Sequence, residues 1–233
     1  MLLATQVRAA LKKHADPTYL KQLERLVPGV RSVGVRVPML KSIAADLRKA
    51  RKDLADTEAR ALLTHFANRK VRDELLVGIF LIARRRQLLS SLPWADIEQW
   101  LDAVDNWETC DQLATNVIAP RVAADETALA RLQTWVTSKN FWQRRAAAAC
   151  GASLNQRGRS LPRATLALCA PLLDDPEVMV RKAVAWALRE ASEKDEPAIF
   201  ELLRQNKARV HPTVLREGSE KLTPAHRAAL LAK

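Results

Sequence analysis

Phe141-Trp142-Gln143-Arg144-Arg145-Ala146-Ala147 and Val178-Met179-Val180-Arg181-Lys182-Ala183-Val184 set the same apolar-then-basic-then-alanine pattern twice, 37 residues apart counted from Arg144 to Arg181. Each opens a stretch whose apolar residues recur at three- and four-residue spacing, the period of an amphipathic helix. A weaker copy, Val71-Arg72, stands 72 residues before Arg144, two periods of 36. A repeat of this length describes paired helices of the HEAT type, each pair relying on its neighbours to cover its apolar faces. Because Arg and Ala are abundant, chance spacing is the competing reading. The expectation is an all-α chain, a HEAT-like helical-repeat solenoid with a concave basic groove, forming one domain over residues 1–233.

The surrounding sequence agrees with helix. Only 6 glycines occur in 233 residues, and no alternating strand pattern appears. Asp16-Pro17, Asp175-Pro176-Glu177 and Thr223-Pro224 each join a capping side chain to a proline suited to a first turn. Ser32-Val33-Gly34-Val35-Arg36-Val37-Pro38 looks strand-like. It is too isolated for a sheet, and leads into a helix expected near Pro38.

Composition narrows the partners. Lys and Arg number 38 against 26 Asp and Glu, a formal charge of +12, which suits a polyanion such as nucleic acid. A basic housekeeping protein can carry the same balance. Cys110, Cys150 and Cys169 form no C-x-x-C pair and read as reduced thiols of a cytoplasmic protein. His14, His65, His211 and His226 lack metal-ligand spacing, so neither metal nor cofactor is expected. The first residues acquire charge too early for a signal-peptide core, and no apolar run is long enough to cross a bilayer, so no membrane partner is expected.

The repeat is broken at one place. Near position 108, where the next basic residue is due, stands Asn106-Trp107-Glu108-Thr109-Cys110-Asp111. On a helix Trp107, Cys110, Asp111 and Ala114 share a face at i, i+3, i+4 and i+7. With Asn106 as cap, Asp111 lies five residues inside, beyond capping reach, which leaves solvent exposure or chemistry. Glu108 is placed to complement the helix dipole. In the helix after Pro176, Lys182, Trp186 and Arg189 form one stripe, while Val180, Val184, Ala187 and Leu188 suffice for the core stripe. An indole among aliphatics is more often core than site, and both readings stay open for Trp107 and Trp186. Trp94, Trp100 and Trp135 are assigned to packing, and Arg84-Arg85-Arg86 and Lys49-Ala50-Arg51-Lys52 to helix ends.

Four segments in order carry a resemblance: Gly34 to Pro38, Asn106 to Asp111, Asn140 to Arg145, and Lys182 to Glu190. Over roughly Tyr19 to Leu222 the chain resembles DNA alkylation repair glycosylases of the AlkD type, built from HEAT-like repeats. The family's cleft pattern falls on Trp107 and Asp111, on Arg145 closing a W-x-x-R, and on Trp186 before Leu188-Arg189-Glu190.

The resemblance implies hydrolysis of the N-glycosidic bond of cationic alkylated purines, N3-methyladenine and N7-methylguanine, in double-stranded DNA. Asp111 is then the catalytic carboxylate, and Trp107 and Trp186 are indoles against the lesion. Arg145, Lys182, Arg189 and Arg144 bind phosphates, the doubled Arg leaving one free to pair with an acid. Asn106 and the Val71–Leu76 segment lack the aromatics that relatives often carry there. A monomer is expected. The alternative is a non-enzymatic HEAT-repeat scaffold that binds nucleic acid or protein.

Overall fold

The computed structural model describes residues 2–125 and 127–232, and every regular element among them is helical. The chain divides into two compact units, residues 1–117 and 118–233.

The first unit holds α1 (Leu2–Lys13), α2 (Pro17–Leu26), α3 (Val37–Ala50), α4 (Asp56–Arg69), α5 (Arg72–Ile82), α6 (Arg86–Ser91), α7 (Trp94–Ala103) and α8 (Trp107–Leu113). Its centre is α5, whose run Leu75-Leu76-Val77-Gly78-Ile79-Phe80-Leu81-Ile82 is buried on every side, as a helix without a polar face must be. α3, α4, α1 and α8 pack around it. Gly78 lets α4 come close, because a Cβ there would lie 2.8 Å from Leu63 Cδ1. Trp100 is fully buried on α7 and its indole N–H donates to Thr64 Oγ1 at 2.9 Å.

The second unit holds α9 (Ala119–Ala124), α10 (Ala128–Trp135), α11 (Phe141–Ser153), α12 (Pro162–Cys169), α13 (Val178–Ser192), α14 (Glu196–Gln205), α15 (Pro212–Gly218) and α16 (Pro224–Leu231). α11 and α13 form its centre, and α15 packs against α13 as well. Ala146, Ala147, Ala148 and Ala149 are all fully buried, so small side chains bring α11 close to its neighbours. The expected core stripe of α13, Val180, Val184, Ala187 and Leu188, is fully buried.

The 37-residue repeat has a structural counterpart in hydrogen bonds. Arg144 Nη1 donates to the carbonyls of Ser138 and Lys139, six and five residues back. Arg181 Nη1 donates to those of Asp175 and Pro176, again six and five residues back. Each arginine thereby closes the loop that precedes its own helix. Arg72, the weak third copy, departs from this pattern and turns its guanidinium into the first unit.

Two helix starts differ in detail from the sequence reading. α13 begins at Val178, so Asp175 precedes the N-cap, and its carboxylate accepts the Glu177 N–H at 2.9 Å instead. Thr223 stands at the N-cap of α16 without a side-chain cap bond. Asp16 caps α2 as expected, accepting from the amides of Thr18 and Tyr19. Trp135 is buried, whereas Trp94 is only half-buried.

Candidate functional site

In the first unit the site is built on the start of α8. Asn106 Oδ1 accepts the Thr109 N–H at 3.0 Å and fixes where the helix begins, which sets Trp107 as its first residue and Asp111 one turn later. Both are half-buried, while Cys110 between them is fully buried. The Trp107 indole N–H donates to the Leu26 carbonyl at 3.3 Å, tying the ring to the end of α2. Thr115 Oγ1 donates to the Asp111 carbonyl at 2.8 Å, inside a π-helical turn, Ala114–Ile118, that follows α8 directly. Such wide turns recur at functional sites.

The residue between the two candidates anchors the helix from below. Glu108 receives Arg72 Nε at 2.6 Å and Nη2 at 2.7 Å, a two-point ion pair in which the Arg72 side chain has no exposed surface. Burial opposes charge on Arg72. The hydrogen bonds it donates to Glu108, followed by the charges of Glu108 and Asp73, outweigh that and hold the guanidinium above its ordinary range. Arg72 Nη1 also donates to the Val35 carbonyl and to Asp73 Oδ1, both at 3.0 Å.

Asp73 in turn gathers the strand-like stretch. Its carboxylate accepts Ser32 Oγ at 2.6 Å and the amides of Val33 at 2.8 Å and Val35 at 3.0 Å. The stretch is therefore extended because a buried carboxylate on α5 satisfies its backbone donors in place of a neighbouring strand. Gly34, at φ +80°, permits the bend; a Cβ there would lie 2.7 Å from the Asp16 carbonyl and 2.9 Å from Leu20 Cβ. Beyond it Arg36 lies over the Tyr19 ring, 4.6 Å from its centroid, and the Tyr19 hydroxyl accepts from Arg72 Nη2 at 3.4 Å.

In the second unit the candidates lie at the start of α11 and along α13. Arg144 binds Asp175 with two nitrogens, at 2.6 and 3.2 Å, and the Ser138 carbonyl with a third at 2.7 Å. Arg145 retains 5% of its surface and donates to the Met179 carbonyl. Lys182 is exposed and Trp186 half-buried. Arg189 donates to Glu220 at 3.1 Å, a partly exposed pair of small energetic weight.

The structure thus puts Trp107 and Asp111 together on α8, and Lys182, Trp186 and Arg189 together on α13. It draws Arg144 into a loop-closing network. Sequence reasoning missed Tyr19, Arg36, Asp73 and the role of Arg72. One signal for Arg72 was present: Glu108 lies 36 residues after it, at the vacant repeat position. Among the described residues no cluster of His, Cys, Asp and Glu could hold a metal ion, and no helix is long and apolar enough to cross a membrane.

The family model for DNA alkylation repair enzymes matches residues 7–222. The chain belongs to that family. A solved structure described as a predicted DNA alkylation repair enzyme from Enterococcus faecalis shares the fold, with a TM-score of 0.74, 18% identity, and coverage of 91% of this chain and 98% of that one. No curated protein matches. The matched span of the family takes in α8, α11 and α13 whole, so every candidate residue lies within it.

Proposed function

We propose that this DNA alkylation repair enzyme is a monofunctional glycosylase that hydrolyses the N-glycosidic bond of cationic alkylated purines, N3-methyladenine and N7-methylguanine, in duplex DNA. The reading is carried by Trp107 and Asp111, an indole and a carboxylate one turn apart on α8, both reachable from solvent on a helix start pinned by the buried Arg72–Glu108 pair.

A purine alkylated on a ring nitrogen already bears positive charge. When its C1′–N bond breaks, the electron pair goes to the purine, which departs neutral, so no general acid is required. Positive charge passes to the deoxyribose as an oxocarbenium ion, and water adds to C1′ and loses a proton to leave an abasic site. Asp111 is assigned to stabilise that cation and to position the water. The face of Trp107, and on the family resemblance that of Trp186, contact the lesion and exclude water.

Lys182 and Arg189 are assigned to phosphates, and Arg145 to a phosphate through donors other than the one given to Met179. Arg144, with three nitrogens committed to Asp175 and Ser138, supports the loop that presents α11. The 36- to 37-residue period supplies the expectation of HEAT-like repeats around a basic groove and of a monomer, and the unpaired cysteines that of a cytoplasmic setting.

The test is release of free methylpurine from methylated duplex DNA by wild type and Asp111→Asn. Loss of release by roughly 10²- to 10³-fold, with affinity for undamaged duplex retained, is the expected result. Equal, negligible release by both proteins overturns the enzyme in favour of a nucleic-acid-binding scaffold.

A further inference from the structure

The basic run Arg84-Arg85-Arg86 meets Arg48 and Lys52 in space. The end of α3 with the turn after it, and the turn between α5 and α6, wall a concavity of about 680 Å³ lined by Arg48, Lys52, Arg84, Arg85, Arg86 and Asp56. Arg85 ties the walls together: its guanidinium donates to Asp56 Oδ1 at 2.7 Å and to the Leu54 carbonyl at 2.6 Å. That bridge answers the one acid of the lining and makes the cleft preformed. Arg48, Lys52, Arg84 and Arg86 are exposed and have no hydrogen bond or ion pair among the described residues.

Helix dipoles account for only part of this gathering. Arg48, in the last turn of α3, and Arg84, just past the C-terminal end of α5, complement dipoles. Arg86 opens α6, where the positive helix end disfavours a cation. Five cations against one carboxylate repel one another, and a concave wall concentrates their field outward. Guanidinium forks match phosphate oxygens at two points each, so several of them around one cleft fit a chain of phosphates.

We infer that this cleft is a second binding site for the phosphodiester backbone of nucleic acid, distinct from the residues on α8. Arg72 opens α5 and Arg84 lies just past its other end, with about 15 Å of helix between them. The site requires no base chemistry, so it stands or falls independently of methylpurine release.

The experiment measures affinity of the full chain for undamaged duplex DNA against salt concentration, using wild type, Arg84→Glu/Arg86→Glu, and Arg163→Glu/Lys194→Glu. The last makes the same charge change at two exposed cations of the other unit. The Arg84/Arg86 variant is expected to bind at least tenfold more weakly, with a log–log salt slope shallower by about 1.8, two phosphate contacts at about 0.9 each. The milder Arg84→Gln/Arg86→Gln, which adds no acid, is expected to flatten the slope equally. A wild-type slope in both variants overturns the inference, as does an equal loss in the Arg163/Lys194 control. Inorganic tripolyphosphate is the second arm. Competition with DNA in wild type but not in the Arg84/Arg86 variant supports the inference; tripolyphosphate binding that depends on Arg84 and Arg86 while the DNA slope does not assigns the cleft to free oligophosphate and overturns it.

Discussion

Arg72 and Glu108, 36 residues apart, form a buried two-point ion pair with N···O distances of 2.6 and 2.7 Å. Because Glu108 sits between Trp107 and Asp111, this pair connects the central helix of the first unit to the candidate chemistry. Truncating one partner leaves the other charge desolvated. Arg72→Met or Glu108→Leu should each destabilise the first unit by about 3–5 kcal/mol, read by urea denaturation. The double variant should cost clearly less than the two single losses together; additive losses would show that the two residues do not act as a pair.

The Trp107 ring and its N–H can be separated. Trp107→Ala should lower kcat/KM for methylpurine release by about 1–3 kcal/mol of lost stacking, roughly five- to 150-fold. Trp107→Phe keeps an aromatic face and gives up only the 3.3 Å bond to the Leu26 carbonyl, a loss under about 1 kcal/mol. If phenylalanine were as damaging as alanine, the hydrogen bond and not the ring face would be the working part.

Arg144 and Lys182 should divide structure from binding. Arg144→Ala strands the nearly buried Asp175 carboxylate and should destabilise by about 3 kcal/mol, with the DNA salt slope unchanged. Lys182→Ala should stay within about 0.5 kcal/mol of wild-type stability and flatten the slope by about 0.9. Thermal melts and binding titrations on the same preparations read both, and a swapped pattern would reverse the assignment.

Glu196 gives the C-terminal helices a dependence on acid. The Thr223 amide, then the Thr223 and His226 side chains, hold its carboxyl below its ordinary value of 4.5. A depressed folded pKa means this contribution is complete above 4.5 and disappears as pH falls through the lower, folded value. Hydrogen exchange at the Thr223 amide, which donates to Glu196 at 2.7 Å, should accelerate relative to the intrinsic rate below pH 4.5. In Glu196→Gln that acid-specific change should be absent.

Burial silences the thiols. Cys169 is pushed up to about 12 and Cys150 is raised as well, in both cases through burial, and Cys110 is fully buried. Alkylation at pH 8 should leave native protein unmodified and label three cysteines in denaturant. Rapid labelling of a native thiol would mean that one of these sites opens.

What the sequence revealed follows from the range of each interaction. Helix period, the Asn106 and Asp16 caps and the α13 core stripe are written in neighbouring residues, and these match the structure. The turn placing Trp107 and Asp111 on one face is likewise local. The Arg72–Glu108 pair and the Asp73 carboxylate that receives Val33 and Val35 join residues 36 to 40 positions apart, and spacing alone does not say which side chains meet. Arg84-Arg85-Arg86 and Lys49-Ala50-Arg51-Lys52 each looked like an ordinary helix end; only the convergence of the first with Arg48 and Lys52 gives it meaning. The π-helical turn after Asp111 had no sequence signature.

Gly34 carries no side chain for chemistry, yet a saturation mutagenesis screen should score it as intolerant. Any side chain there drives into the Asp16 carbonyl and Leu20, displacing the helix whose far end, at Leu26, accepts the indole of Trp107. Inactivating changes at this position would therefore imitate active-site lesions while leaving every catalytic atom in the chain.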